Sequence, residues 1–274
     1  MASDIKDMKL YVSVERIYNE LRELGYANGD SLNPEDLFPF DQYHYFGTDA
    51  VDEGIRQTGI KANSRVLDIG SGLGGPARYL AKTVGCSVTA VEIQPDVHET
   101  ALDLTRRCDL DGRVNHVCAD FLGSDARDDY DVIVSWLAFL HIPDRERLLA
   151  RCLEALKPSG VMFVEDFHEI DTLTDRERSQ LAADVYCEYL PSLEEFGTQC
   201  EAAGFTDVEP QDATNDATSF ASERARAFME SRERHVRVHG VKIADGLQHF
   251  FTVVAELFNG GHFGLGRVLA RKPG

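Results

Sequence analysis

Three glycines, Gly70, Gly72 and Gly75, follow the apolar run V-L-D-I at 66–69, and the acid Glu92 stands about twenty residues beyond them. Glycine takes positive φ freely and lets another molecule approach the backbone closely. A carboxylate at that spacing, at the end of a second strand, can accept hydrogen bonds from a ribose. A G-x-G-x-x-G run alone is weak. Joined to a strand before it, Pro76 at a helix start and Glu92 after it, it points to a nucleoside cofactor. His141 is the second chemical group, in W-L-A-F-L-H-I-P-D at 136–144. An imidazole with its ordinary pKa near 6.5 can take up a proton near neutrality. A third gathering is D-Q-Y-H-Y-F at 41–46, where Tyr43, His44 and Tyr45 can either close a pocket or pack an N-terminal helix onto the core.

The elements that must hold these groups alternate strand and helix. Apolar residues from Ile5 to Leu24, regular in helical spacing from Val14 onward, predict one or two helices stopped by Gly25. Residues 26–40 read as loop, interrupted by Asn28-Gly29-Asp30, Pro34 and Pro39. A helix at 49–58 leads into the strand at 65–69, and a second helix runs from Pro76 to about Val84. Strand 86–91, helix 95–108 (with His98 on its surface) and strand 114–119 follow. The strand at 130–135 delivers the His141 loop to the carboxyl end of the sheet, where open α/β folds bind ligands. Asp144 can cap the next helix, and Pro158 ends it. Strand 161–165 is followed by Asp166, Phe167 and His168. Residues 171–190 read as helix, Ser192 with Glu195 as a capping box for a helix ending at Gly204, and 207–210 as a short strand. A charged helical stretch at 217–259 precedes a last strand at 264–272.

V-L-D-I-G-S-G-L-G-G resembles the first motif of class I S-adenosylmethionine-dependent methyltransferases. Later pieces match in order: V-T-A-V-E-I at 88–93, C-A-D-F at 118–121, D-V-I-V-S at 131–135 and L-K-P-S-G at 156–160. The resemblance covers 60–170 firmly and the flanks loosely. It implies an α/β, Rossmann-like seven-stranded sheet, mostly parallel with the last strand antiparallel, with N-terminal helices and a helical insertion covering the active site. A single methyltransferase domain would then divide into an N-terminal helical lid (1–60), a cofactor-binding core (61–216), the insertion (217–260) and the last strand (261–274). The implied cofactor is S-adenosyl-L-methionine, held by Asp68, Gly70, Ser71, Gly72, Gly74, Glu92, Ile93, Gln94 and Trp136. Asp120 would meet the adenine amine and Phe121 its ring, although Asp120 can equally cap a turn.

The segment S-W-L-A-F-L-H at 135–141 resembles the corresponding loop of sarcosine/dimethylglycine and phosphoethanolamine methyltransferases. Ala138 and His141 match it, but Leu137 stands where that pattern carries an acid. N-G-G-H-F-G-L-G-R-V at 259–268 resembles the ending of the sarcosine/dimethylglycine group. These likenesses imply N-methylation of a small amine or amino acid. His141 would accept the proton, Tyr43, Tyr45 and His44 are further catalytic candidates, and His168, Tyr186 and His262 are substrate-binding candidates. Three alternatives stay open: an O- or C-methyltransferase of a larger natural product, a catalytically idle cofactor-binding module, and a nicotinamide oxidoreductase. The last would have no use for Asp120 or the L-K-P-S-G turn.

The chain of 274 residues suits one large α/β domain with additions, or two small ones. Its formal net charge of −19 argues against nucleic acid, whose phosphates need Lys and Arg, and against an anionic membrane surface. It is compatible with a cationic substrate, with a salty cytoplasm or simply with solubility. The six cysteines show no C-x-x-C pair and read as buried thiols in a reducing, cytoplasmic setting. M-A-S-D-I-K-D lacks a signal-peptide core, and no run reaches membrane-span length. No metal is expected, because transfer from a sulfonium needs no Lewis acid. The expected partner is a small-molecule methyl acceptor, with homodimerisation left open.

Overall fold

The structure, a computed structural model, describes residues 13–274. The predicted positions Ile5, Met8, Leu10 and Val12 therefore lie outside the described residues. From Val14 the helical spacing is realised as α1 (Glu15–Glu23), whose Ile17 and Leu21 are buried. The stretch predicted as loop contains more structure. Asn33 accepts a hydrogen bond from the Glu35 N–H at the head of a 3-10 turn, Pro34–Asp36, and α2 (Phe38–Asp41) follows directly. Pro34 at the first position of one turn and Pro39 at the second of the next pre-set φ, which explains why two prolines in a loop-like segment start turns rather than prevent them. α3 (Thr48–Thr58) ends at Gly59 in the left-handed region.

β1 (Arg65–Ile69), α4 (Gly75–Thr83), β2 (Ser87–Glu92), α5 (Pro95–Arg107), β3 (Val114–Cys118), β4 (Tyr130–Trp136), α6 (Arg145–Ala155) and β5 (Leu156–Glu169) form the alternating core. β-branched residues fill β1, β2 and β4, so these strands bury both faces, as parallel strands between helical layers do. The sheet order is β3-β2-β1-β4-β5-β7-β6, with β6 (Thr206–Asp212) and β7 (Phe263–Arg271) completing it. β1 pairs in parallel with both β2 and β4, so the chain leaves β1 in one direction along the sheet and returns on its other side. That reversal opens a crevice at the carboxyl ends of β1 and β4. β7 is antiparallel to both β5 and β6 and sits between them, leaving β6 at the edge.

β5 runs past its predicted end at Glu165. Its pairing with β7 continues from Val161↔Arg271 to Glu169↔Phe263, which makes Asp166, Phe167 and His168 strand residues. The predicted helix at 171–190 is instead α7 (Asp175–Gln180) and a π-helical turn, Leu181–Val185, halted by Tyr186 at φ 56°. α8 (Leu193–Ala203) starts on Ser192 and ends at Gly204. Between β6 and β7 lie α9 (Thr214–Glu230), α10 (Arg232–His239) and α11 (Val241–Gly260), the α10–α11 break falling at Gly240 with φ 83°.

Two apolar layers cover the sheet. One joins α1, α3, α4 and α5 to it through residues such as Ile17, Val51, Leu80 and Leu104. The other packs α6 and α8 through Leu148, Leu149, Phe196 and Cys200. A third cluster, centred on Tyr45, Phe167, Phe250, Phe258 and Phe263, joins the insertion to the ends of β5 and β7. Each fully buried aliphatic or Phe side chain contributes roughly 1.5–3 kcal/mol relative to exposure. Among the described residues, no helix is long and apolar enough to cross a membrane.

Candidate active site

The turn after β1 is shaped by backbone bonds. The N–H groups of Gly70 and Ser71 both donate to the Val91 carbonyl at 2.9 Å. Gly70 has φ 72°, and a Cβ there would lie 2.2 Å from the Cβ of Ala138. The turn after β1 and the turn after β4 thus touch at the only sizes that fit. Glu92 braces the same turn: Oε2 accepts from the Gly72 N–H at 3.0 Å and Oε1 from the Gln94 N–H at 2.8 Å. Burial pushes the Glu92 carboxyl up, and the Gln94, Gly72 and Ile93 N–H groups oppose it.

Asp68 is 1% exposed, and its Oδ2 has no partner. Burial, then the Glu92 charge, raises its carboxyl to about 7. Ser71 Oγ, Gln94 Oε1 and Trp136 Nε1 are likewise buried and unpartnered among the described residues. Most buried polar groups in folded proteins find partners, and four unsatisfied polar atoms gathered around one crevice are what a site awaiting a polar cofactor presents.

Two adjoining clefts lie over this turn. One, of about 160 Å³, is walled by Gly70, Glu92, Ile93, Gln94, Asp120, Phe121, Ala138 and His141. The other, about 30 Å³, is walled by Asp41, Tyr43, His44, Asp68, Ser71, Gly72 and Trp136. Gly70 and Leu137 line both. Leu137 carries φ 53°, an uncommon conformation for a side chain of its kind, at the position where the resembled pattern has an acid. Asp120 Oδ1 accepts from the Leu122 N–H as a turn cap, and the residue borders the larger cleft.

His141 sits in a 3-10 turn, Phe139–His141. Its Nδ1 is 3.2 Å from the Tyr186 carbonyl, so a neutral ring donates there and keeps its lone pair on Nε2. Burial lowers the imidazole to about 4, only partly offset by the Tyr186 carbonyl. This corrects the expectation of an ordinary value near 6.5: the ring is neutral throughout the physiological range and is a weak proton acceptor. His44 is similar. It stacks on Trp136 at 5.7 Å, its Nε2 is 2.8 Å from Gln42 Oε1, and burial lowers it to about 4.

The other candidates are placed elsewhere. Gly74 lines neither cleft; it caps α4 in the left-handed region, and a Cβ there would meet the His116 ring at 2.6 Å. Tyr45 is buried in the third cluster, its ring 5.4–5.7 Å from Phe167, Phe220 and Phe258. Tyr186 meets His141 through its carbonyl. The His168 ring faces β6 and β7, 3.6 Å from Asp212 and 3.4 Å from Thr214 Oγ1. His262 pairs with Glu177 at 3.0 Å, away from both clefts. His98, expected at the surface, is half-buried with Nδ1 enclosed and its ring against His116.

Several groups escaped the sequence reading. Asp166 holds the His141 turn: its Oδ2 accepts from the Leu140 N–H and its Oδ1 from the Phe167 N–H, both at 2.8 Å. Burial, against the nearby Arg145 charge, raises it to about 7. An acid ending an apolar strand, as in F-V-E-D at 163–166, was the available signal. Asp41 and Arg78, each 1% exposed, form an ion pair at 2.8 Å. It straps the 41–46 segment onto α4, where a Cβ on Gly75 would come 2.6 Å from the Asp41 carbonyl. A metal-ligand spacing also escaped: His235-Val-Arg-Val-His239 is H-x-x-x-H, and it brings two imidazoles beside Glu20. A third cavity, about 290 Å³, lies there and shares Tyr43 with the smaller cleft.

Residues 42–210 match the methyltransferase domain family, which is well over half of the chain, and the chain belongs to that family. It is 25% identical over 268 residues to a glycine/sarcosine/dimethylglycine N-methyltransferase of Actinopolyspora halophila, covering 88% of this chain and 46% of that one. The chain thus spans about half the length of that curated relative. Among solved structures, phosphoethanolamine N-methyltransferase 2 of Haemonchus contortus in complex with S-adenosyl-L-methionine superposes with a TM-score of 0.84 at 22% identity, covering all of this chain and 60% of that one. The cyclopropane synthase MmaA2 of Mycobacterium tuberculosis superposes with a TM-score of 0.77 at 17% identity, covering 99% of each. At these identities the structures define the fold, a Rossmann-like methyltransferase sheet, and leave the acceptor open.

Proposed function

We propose that the chain transfers a methyl group from S-adenosyl-L-methionine to a nitrogen of a small amine or amino acid. The observation that carries this is the pair of adjoining clefts, with unsatisfied polar atoms in their walls and His141 lining the larger. S-adenosyl-L-methionine, when bound, supplies an electrophilic methyl on a positively charged sulfur. Glu92 would accept from ribose hydroxyls, Asp120 and Phe121 would take the adenine, and the free Oδ2 of Asp68 would accept from an ammonium. His141 offers Nε2 as a hydrogen-bond acceptor to the acceptor's N–H. That bond orients the nitrogen lone pair, and positioning is the larger share of what an in-line displacement requires. With an imidazole near 4, the nitrogen must enter neutral or lose its proton to water.

A second reading is O- or C-methylation of a larger molecule. It is favoured by the third cavity, whose walls include Phe40, Phe228, Phe250 and Phe251, more apolar surface than a small amino acid needs. Incubation with methyl-labelled S-adenosylmethionine and a panel of amines, amino acids and phenols separates the two. Label in sarcosine or a related amine supports the first; label only in phenols or bulky apolar acceptors supports the second. No turnover with any acceptor, despite cofactor binding, would leave an idle cofactor-binding module.

A further inference from the structure

Away from the cofactor turn, the third cavity is bordered by donors from two elements far apart in sequence. His235 and His239 stand four residues apart on α10, so both project from one face of the helix. Glu20 reaches them from α1. One imidazole nitrogen from each histidine and one carboxylate oxygen all lie within 4.8 Å of one another, and all three residues line the cavity. We propose that Glu20, His235 and His239 form a binding site for one divalent transition-metal ion of the zinc class, with a coordination position open to the cavity.

The donor set selects the ion class. Two imidazoles with one carboxylate suit zinc and its neighbours, whereas calcium and magnesium take oxygen ligands. Three protein ligands leave a position for water or another small ligand. The side chains are already gathered: Glu20 Oε1 is 2.8 Å from His239 Nε2, and their side chains are 12% and 3% exposed.

The His235 ring is fixed by stacking on Phe228 at 4.0 Å and 8°, with its Nε2 3.2 Å from Ser231 Oγ. Arg234 donates to Oε2 at 2.6 Å and to Oε1 at 3.1 Å. With an ion on Oε1, Arg234 keeps Oε2 and orients the carboxylate, as supporting groups at metal sites do. Nδ1 of both histidines is buried without a partner, which a finished hydrogen-bond network would not leave.

Such an ion would tie α1 to α10 across the mouth of the cavity. It would act on the lid and not on the transferring carbon. The alternative is that Glu20, His239 and Arg234 form an ion-pair clasp with no affinity for metal.

The test is titration of chelator-treated full-length protein with zinc, with cobalt(II) as a spectroscopic probe. One ion per chain is expected, with cobalt bands of nitrogen–oxygen ligation and no thiolate charge-transfer band. The melting temperature should rise by about 5 °C at a hundredfold excess over the dissociation constant. His235→Ala and His239→Ala should each weaken binding about tenfold or more. His239→Gln, which keeps a hydrogen bond to Glu20, should lose the ion while remaining folded by circular dichroism. No zinc uptake by the wild-type chain at millimolar ion, a thiolate band pointing to the exposed Cys118, or unchanged affinity in the double histidine variant would each overturn the site. The wild-type titration decides even if a variant fails to fold.

Discussion

The glycine turn and the lid–insertion assembly are built on opposite principles. In the turn, geometry is set by backbone: Gly70 and Ser71 share one carbonyl, and Glu92 is held by two N–H groups within a short stretch of chain. In α1, the 41–46 segment and the insertion, geometry is set by side chains that meet across the whole molecule. Glu20–Arg234 and Glu23–Arg237 each join residues 214 positions apart, and Tyr45 reaches its aromatic neighbours from both ends of the fold. A backbone-defined site has little room for substitution and keeps its motif. An assembly defined by side chains can be repacked while the turn beneath it stays the same.

That contrast can be broken most sharply at Gly70. A branched side chain there meets Ala138 and must adopt φ 72°. Overpacking and strain together reach about 4 kcal/mol, so Gly70→Val should weaken S-adenosylmethionine binding about a thousandfold by calorimetry. Binding within tenfold of wild type would mean that the two turns can separate cheaply. Gly72→Val should be milder by packing alone, because a Cβ there meets nothing within 4 Å.

His141→Ala should lower kcat about a hundredfold, the loss that misplacing a reacting group by about 1 Å brings, with cofactor affinity nearly unchanged. The pH profile separates positioning from general-base action. With the imidazole near 4, the ring gains no proton between pH 6 and 9, so wild type and variant should share one profile shape there. A wild-type acidic limb near pH 6.5 that disappears in the variant would restore the base role.

Asp68 sharpens the comparison from the side of stability. Its folded value near 7 lies above an unfolded value near 3.9. The folded state therefore binds the extra proton, and the stability it contributes is complete below about pH 4 and lost as pH rises through about 7. Asp68→Asn should then be more stable than wild type at pH 8, by about 2 kcal/mol, with the gain vanishing toward pH 4. Melting temperatures across that range check it; a variant less stable at pH 8 would show that the carboxylate is held by the fold. The expected cost is weaker cofactor binding, the usual exchange between stability and function.

The smallest effect belongs to the lid. Tyr43 borders both the small cleft and the third cavity, so Tyr43→Leu should raise the acceptor KM by up to tens-fold, a loss of about 0.5–2 kcal/mol. Tyr45→Leu should lower the melting temperature and leave KM close to wild type. Equal effects of the two on KM would mean that the aromatic cluster, too, reaches the acceptor.

The same contrast decides what could be read from sequence. The alternating core and the glycine turn were legible because their signals are local: positive-φ glycines, apolar strands and an acid at a fixed spacing. Asp166 was passed over because it was read beyond a strand end that pairing with β7 extends. The low imidazole of His141 was invisible because burial by distant elements sets it. The division of 171–190 into α7 and a π-helical turn depends on Tyr186 entering the left-handed region, which side-chain periodicity does not encode. His235 and His239 were readable as a spacing, but their third partner lies on α1.

The buried Asp41–Arg78 pair has a kinetic meaning. It fastens the segment over the small cleft to the helix that begins at the glycine turn, so if spent cofactor leaves through that face the pair must part. Turnover could then run no faster than this latch lifts, however quick the chemistry. A residue pair with no contact to the reacting atoms would in this way set the enzyme's clock.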